Sequence, residues 1–574
     1  MVTWSDVLLW RAAHIETVQD DASAARKAAR EQVQELEAHY NRIASQGLAI
    51  DAMRQALSRV QDELDHAVNA ISAYMLACAE AIDGVRVVEA KVRSALEISE
   101  EIGCTIYDDG SVSIPYIDLS DAVRYGKADV LLGKSNELHM CIADALSIAR
   151  KVDEELRRKL QELAEDRFEQ NGPKEGRHSA SPGLPDDADE SWSPSEVSAW
   201  WGALTDEERQ ACIERDPLKY GNLDGIDMAS RDKANRMALY GYDTGGNASI
   251  RLGSTGLLQQ AQDKFDQAQA AYDDCVGAHG LFSDEAMALK AERDRAGRDL
   301  ADLQKIDERL RKGAGEDGEP VSLLALDMSG EQVKAAVAVG DVDHAQHVAN
   351  FTPGMGTNVR DSLDNYVDVA DRMRENTVEQ AEVKRSDVAV VAWLNYDAPT
   401  DITKTWDTDV ASTEKAHAGA DRLAGFLTGV RSWRDEQGGS LHLTSVSHSY
   451  GSTTAGLAML QVGEGVVDDH IYLASPGSAA YTVGALGVDP SHVWVSAVPE
   501  GDMVQGMGPD VTFGRNPEQL EGIQHLSGDA TGAQGYDPQP SSPVANHSSY
   551  FAPPKPGERN KVFDDVCRVV VGVK

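Results

Sequence analysis

The chain has 574 residues, of which 26% are charged and 41% hydrophobic, as in globular proteins. Its net charge of −41 argues against nucleic acid or an anionic lipid surface as a partner, because both repel such a surface. No apolar run approaches the ~20 residues of a transmembrane helix, and the N-terminus lacks the features of a secretory signal peptide. The six scattered cysteines contain no CxxC pair, which favours free thiols in a reducing, cytoplasmic setting over disulfides or a zinc site.

Residues 1–168 have the apolar period of long helices. Apolar side chains recur at three- and four-residue steps over 18–43 and, after a glycine-containing break, over 53–78. Two such helices bury their stripes against each other as in a coiled coil. Short β-like pieces interrupt the period at 103–119, and helix resumes over 120–168. We predict a helical bundle, which serves either as a scaffold or as a surface for a protein partner.

Residues 169–193 are rich in Pro, Gly, Ser and Asp and predict a flexible linker, so we expect the chemistry to reside beyond it. Residues 194–247 predict a small helical module that begins with a Ser cap and a Pro in the first turn. Its paired tryptophans, Trp200 and Trp201, are better explained as residues that pack in the core of the module than as part of a ligand-binding site. Residues 248–318 predict a helical hairpin with a highly charged outer face.

From residue 319 the pattern changes to alternating strands and helices. The run VAVVAWL at 388–394 is the strongest strand signal of the chain. Strands alternating with helices over about 250 residues predict a mostly parallel sheet covered on both faces, so the fold class of 319–574 is α/β behind all-α domains.

One segment of the helical module resembles a known family. The stretch SAWWGALTDEERQACIERDPLKYGNLDGIDMASRDKANRMAL is similar to a module that precedes the hydrolase domain in a large actinobacterial α/β-hydrolase family of unknown function. The segments PGMGT, AWLNYDAP and HSYGS occur in that family in the same order as here. The resemblance covers residues 194–574 and implies an α/β-hydrolase domain at 319–574.

The stretch LHLTSVSHSYGSTTAG at 441–456 predicts a strand, a tight turn and a helix, the context of a nucleophile elbow. Ser449 stands at the apex of the turn. The residues two before and two after the serine must be small, and here they are Ser447 and Gly451. Ser181 has similar neighbours but lies in the Pro-rich stretch without a strand or helix beside it. We therefore predict Ser449 as the nucleophile and Ser181 as inert.

A serine nucleophile needs a base, and the base needs an acid to orient it. In this fold the chain order is Ser, acid, His, which leaves Glu500 and Asp502 as acids after the strand at 493–498. We favour Asp502, since a loop containing Gly501 can turn its short carboxylate back toward an imidazole.

The base candidates are His470, His492, His525 and His547. The first two begin strands, at the wrong end of the sheet, and His525 lies in a segment, 518–528, that predicts a peripheral helix. His547 lies late in the domain, before the final helix. The resemblance also implies it, because the family carries a His-x-x-Tyr segment near its C-terminus that His547 and Tyr550 match. His448, inside the elbow, is interpreted as a packed structural histidine.

An oxyanion hole requires backbone N–H groups. One is expected from Tyr450, directly after the nucleophile, and another from the glycine-rich loop at Gly354 and Met355. No Lys-Ser/Thr follows that loop, which excludes a Walker phosphate loop. We predict no cofactor and no metal site.

These residues predict a serine hydrolase, an esterase or related acyl hydrolase with a small-molecule or lipid-like ester as substrate. A second hypothesis is a secreted effector or cell-interaction protein, exported by a type VII-like route, whose helices bind a partner. The segment from Tyr125 to Asp129 fits the loose YxxxD export pattern. Labelling by a fluorophosphonate favours the first hypothesis, and export of the folded hydrolase favours the second.

Overall fold

A computed structural model describes residues 2–42, 48–113, 128–165, 187–189, 191–241, 255–381, 383–400, 412–498 and 500–573. The helices of these residues are α1 Trp4–Val7, α2 Ala12–Arg42, α3 Leu48–Ile102, α4 Ala128–Ala164, α5 Pro194–Ala203, α6 Asp206–Arg215, α7 Pro217–Tyr220, α8 Met228–Tyr240, α9 Leu257–His279, α10 Asp284–Lys312, α11 Val359–Ala381, α12 Glu414–Glu436, α13 Tyr450–Met459, α14 Asp510–Phe513 and α15 Lys561–Val570. The strands are β1 Thr105–Ile106, β2 Val112–Ser113, β3 Val321–Asp327, β4 Lys334–Val339, β5 His347–Thr352, β6 Val388–Leu394, β7 His442–His448, β8 Asp469–Leu473, β9 Val493–Ser496 and β10 Gln524–His525.

The N-terminal region is built from the long helices α2, α3 and α4. Apolar side chains of α3, among them Val88 and Ile98, pack against Leu138 and Ile142 of α4, as expected for helices that share apolar stripes. Strands β1 and β2 form a small antiparallel hairpin between the helices. The predicted start of the third helix at residue 120 lies outside the described residues, as does most of the predicted linker.

The helical module α5–α8 covers one edge of the main sheet. Ser193 caps α5 through a capping box, and the buried Trp201 ring stacks on Tyr220 with ring centroids 5.6 Å apart. The Asn235 amide donates to the carbonyls of Gly221 and Leu323 at 2.7 and 3.0 Å, which ties α8 to strand β3. The GNLDG and RDxAN segments therefore hold the module on an edge strand, whose backbone groups otherwise stay unpaired.

The main sheet has eight strands in the order β10-β9-β8-β7-β5-β6-β4-β3. Strands β5 to β10 run parallel, while β4 pairs antiparallel with both β3 and β6. Separate apolar cores fill the two faces of the sheet, which confirms the predicted α/β fold. The carboxyl ends of β5, β7, β8 and β9 meet at one edge, where this topology places functional loops.

The helical bundle packs directly against the sheet domain. The Arg86 guanidinium lies 3.0 Å from the Asp435 carboxylate of α12. The Glu137 carboxylate of α4 accepts from the Tyr481 N–H at 3.2 Å and the Thr482 hydroxyl at 3.1 Å. The bundle is thus in direct contact with the sheet domain.

Two further findings concern the described residues only. None of their helices combines the length and apolar character needed to cross a bilayer. The predicted peripheral helix at 518–528 is wrong: a short 3₁₀ helix at Pro517–Gln519 is followed by β10, which pairs in parallel with β9. Pairing with a neighbouring strand is a tertiary contact that local sequence does not encode.

Candidate active site

Ser449 occupies the sharp turn between β7 and α13. Its backbone dihedrals are φ 56° and ψ −136°, a region that non-glycine residues rarely adopt. The Ser449 N–H donates to the Leu473 carbonyl of β8 at 3.0 Å, which helps hold this conformation. A strained residue persists only where the surroundings fix it, and such residues cluster at functional sites.

Small residues surround the turn because other backbone segments approach it closely. A Cβ on Gly451 would lie 2.3 Å from the Pro353 carbonyl oxygen, so glycine is required there. Ser447 takes the position two before the nucleophile, and its buried hydroxyl donates to the Ile471 carbonyl at 2.8 Å. Serine is tolerated at this position because it is small and its hydroxyl has an acceptor in the neighbouring strand.

Asp502 and His547 contact each other in the loops beyond β9. The His547 Nδ1 atom lies 2.9 Å from Asp502 Oδ1, and the Asp502 side chain is fully buried, with 0% exposure. Burial alone raises the pKa of Asp502, but the hydrogen bond and charge of His547, with a hydrogen bond from Tyr550, outweigh it and lower the pKa. An ionised carboxylate only accepts, so Nδ1 carries a proton, and Nε2 is the ring nitrogen that can take up a proton when the imidazole is neutral.

Tyr550 and Asn546 hold together the loops that carry Asp502 and His547. The Tyr550 hydroxyl donates to Asp502 Oδ2 at 2.6 Å and accepts from the Val498 N–H at 2.8 Å. The buried Asn546 side chain donates to the carbonyls of Glu500 and Asp537 at 2.8 and 2.9 Å. Neither role was predicted, although the His-x-x-Tyr spacing was the signal that could have indicated Tyr550.

His448 links the elbow to His547. Burial, reinforced by the neighbouring His547, lowers the pKa of His448 to about 3, so its ring is neutral. Its Nε2–H donates to the His547 carbonyl at 2.8 Å, and the two rings lie 4.6 Å apart. The residue before Ser449 thereby fixes the backbone of His547. Among the described residues, no direct hydrogen bond joins the Ser449 hydroxyl to His547; catalytic contacts often tighten only when substrate binds.

The predicted oxyanion loop contacts Ser449. A Cβ on Gly354 would lie 2.6 Å from the Ser449 Cβ, so only glycine allows this approach. The Tyr396 hydroxyl donates to the Pro353 carbonyl at 2.7 Å, and the Gly356 N–H donates to the Pro399 carbonyl at 2.8 Å, which anchors the loop at both ends.

Met355 and Tyr450 carry two of the predicted oxyanion donors in their backbone N–H groups. Within the described part of the chain, the Met355 N–H contacts no protein acceptor. Tyr450 directly follows Ser449 and is the first residue of α13, so its N–H lies at the amino end of that helix. Met355 follows Gly354, which approaches Ser449, and Tyr450 follows Ser449 itself, so both N–H groups belong to segments that meet at the elbow.

The alternative acids and bases lie elsewhere. Glu500 is exposed and contacts the site only through its backbone carbonyl. His470 is fully buried within β8, and burial lowers its pKa to about 3. His492 contacts Asp469 at 3.0 Å, at the opposite end of the sheet, and His525 is exposed on edge strand β10.

The fold and this arrangement define a protein with an α/β-hydrolase domain. A family model described as "Alpha/beta hydrolase" matches residues 329–512, a range that contains Ser449 and Asp502. The mycobacterial protein Rv0963c of Mycobacterium tuberculosis strain H37Rv is 33% identical over 238 residues, which cover 40% of this chain and 83% of that protein. The chain belongs to the α/β-hydrolase family, and its predicted resemblance to actinobacterial members is confirmed.

A longer relative shares a larger part of this chain. The protein Rv2079 of the same M. tuberculosis strain is 29% identical over 309 residues, or 53% of this chain. This chain spans 42% of the length of that relative. Both relatives bear the name "uncharacterized protein", so they support the fold and carry no activity across to this chain.

Proposed function

We propose that this protein is a serine hydrolase that cleaves an ester or related acyl bond through Ser449, His547 and Asp502. The observation that carries the proposal is the strained Ser449 beside a buried Asp502–His547 pair, at the carboxyl edge of a parallel sheet. The rest of the reaction follows from the chemistry of these three side chains.

In the proposed reaction, His547 Nε2 takes the Ser449 hydroxyl proton as Oγ attacks the substrate carbonyl. The Met355 and Tyr450 N–H groups stabilise the resulting oxyanion. Collapse expels the alcohol, which receives the proton from His547, and leaves an acyl-enzyme. Water, deprotonated by His547, then attacks the acyl carbon, and the acid leaves as Ser449 Oγ takes the proton back from His547. Asp502 stabilises the imidazolium form in both halves.

The test is covalent labelling of the full chain with a fluorophosphonate, followed by turnover of a short-chain p-nitrophenyl ester. Ser449→Ala should abolish labelling and lower kcat by roughly 10⁴ to 10⁶, because nucleophile, base and acid act as a unit. Ser181→Ala is the matched control and should label like the wild type. Wild-type labelling of Ser449→Ala would show that the nucleophile lies elsewhere.

A further inference from the structure

Four exposed apolar side chains stand in the loops that carry the proposed acid and base. Met503, Met507, Val511 and Val544 are 60%, 64%, 88% and 51% exposed. Single exposed apolar residues are ordinary on protein surfaces, but a group of them indicates an interaction site. We call these four residues the apolar rim.

Two rim residues lie close in the chain to the proposed acid and base. Met503 directly follows Asp502, and its N–H donates to the Pro543 carbonyl at 2.9 Å. The next residue, Val544, accepts from the His547 N–H at 3.2 Å. Met503 and Val544 therefore lie on neighbouring loops beside the reacting groups.

The other two rim residues lie on a segment that rests against the elbow. The N–H groups on either side of Met507 donate at 2.7 and 2.9 Å to the carbonyls of Ser475 and the residue after it, just beyond β8. Val511 belongs to α14, whose buried Phe513 meets the Tyr450 ring at a centroid distance of 6.4 Å. This segment thus packs against Tyr450, the residue that directly follows the proposed nucleophile.

We propose that the apolar rim binds a neutral lipid surface, so that the substrate is a lipid ester whose acyl chain enters from that surface. This inference rests on the proposed serine hydrolase and specifies its substrate class. The apolar rim is continuous with the loops of the reacting groups, which places a bound lipid next to Ser449. The net charge of −41 repels anionic membranes, so the matching surface is zwitterionic or uncharged.

The first experiment measures binding without catalysis. Full-length Ser449→Ala protein is floated with phosphatidylcholine vesicles and, in parallel, with phosphatidylglycerol vesicles. We expect binding to phosphatidylcholine and weaker binding to phosphatidylglycerol. Adding Met503→Ser and Val511→Ser should lower the partition coefficient at least about tenfold, since less apolar surface leaves water.

A matched control uses exposed apolar residues remote from the site. Leu281 and Phe282, 52% and 87% exposed, lie in the turn between α9 and α10. Leu281→Ser with Phe282→Ser removes similar apolar area, and vesicle binding should stay as in the parent. Equal losses in the rim and control variants, or no vesicle binding at all, would overturn the proposal. Conversion of a dimer to a monomer by the rim variant, with vesicle binding unchanged, would overturn it too.

The second experiment compares p-nitrophenyl esters of short and long acyl chains. The wild-type ratio of long-chain to short-chain kcat/KM should fall at least about tenfold in the rim variant and stay constant in the control. If the rim variant hydrolyses the short ester and its ratio is unchanged, the proposal for the apolar rim is refuted and the serine hydrolase is not. No hydrolysis of any ester, with vesicle binding intact, refutes the hydrolase and leaves lipid binding established.

Discussion

Replacement of Tyr550 by Phe tests whether the buried Asp502 is an ionised acid that its neighbours hold in place. The Tyr550 hydroxyl makes two buried hydrogen bonds, to Asp502 Oδ2 at 2.6 Å and from the Val498 N–H at 2.8 Å. Tyr550→Phe removes both bonds and leaves the ring in place. The change therefore isolates the hydroxyl from the packing of the ring.

The magnitude follows from the two bonds. A hydrogen bond to a charged group contributes about 1.5–3 kcal/mol, and a buried N–H left without an acceptor costs about 1–3 kcal/mol. We expect Tyr550→Phe to lower the free energy of unfolding by about 2–4 kcal/mol at pH 7, since partial relaxation offsets some of the sum. We also expect kcat/KM for a short ester to fall about tenfold, because Asp502 loses an anchor that orients it toward His547.

The loss of stability should depend on pH in a defined direction. The folded-state pKa of Asp502 lies below its ordinary value, so its ionisation stabilises the fold above about pH 4 and this contribution disappears as the pH falls through the folded pKa. The Tyr550 hydrogen bond contributes to that lowering. Tyr550→Phe should therefore lower the free energy of unfolding by less near pH 3 than at pH 7.

Urea unfolding at both pH values, followed by circular dichroism, measures the effect. Tyr472→Phe is the matched control, because its buried hydroxyl donates to the neutral Ser478 carbonyl at 3.0 Å. The control should lose a similar free energy at both pH values. Equal losses for Tyr550→Phe at pH 3 and pH 7 would refute an ionised Asp502 that depends on Tyr550.

The remaining predictions use the same short-chain ester. His547→Ala should lower kcat nearly as much as loss of the nucleophile, while the kcat of His525→Ala should stay near that of the wild type. An inactive His525→Ala together with an active His547→Ala would contradict the assignment. Asp502→Asn should lower kcat by about 10³–10⁴, because the imidazole takes the wrong tautomer, and Glu500→Gln should have little effect; the reverse order would make Glu500 the acid. Gly354→Ala should lower kcat at least about 100-fold, since its Cβ would meet Ser449 at 2.6 Å; wild-type turnover would show that this loop does not form the oxyanion site.

The sequence by itself determined the elements whose signals are local. The strand predicted at 388–394 has the bounds Val388–Leu394, because a continuous apolar run between turn residues needs no distant information. The elbow is also local, since a strand, a small-residue turn and a helix follow each other directly. The fold class and the family resemblance, both confirmed, rest on such segments taken in order.

Tertiary structure decided how distant residues meet. Asp502 and His547 are 45 positions apart, and their roles were predicted from chain order, whereas their contact depends on how the loops beyond β9 pack. The bridging hydroxyl of Tyr550 and the packing of the bundle on the sheet domain were not predicted. Nor was the pairing of β10, which replaced a predicted helix. Each of these three features depends on a partner far along the chain. The sequence pattern around a residue indicates the propensity and burial of that residue, but it does not identify the group that the residue will contact.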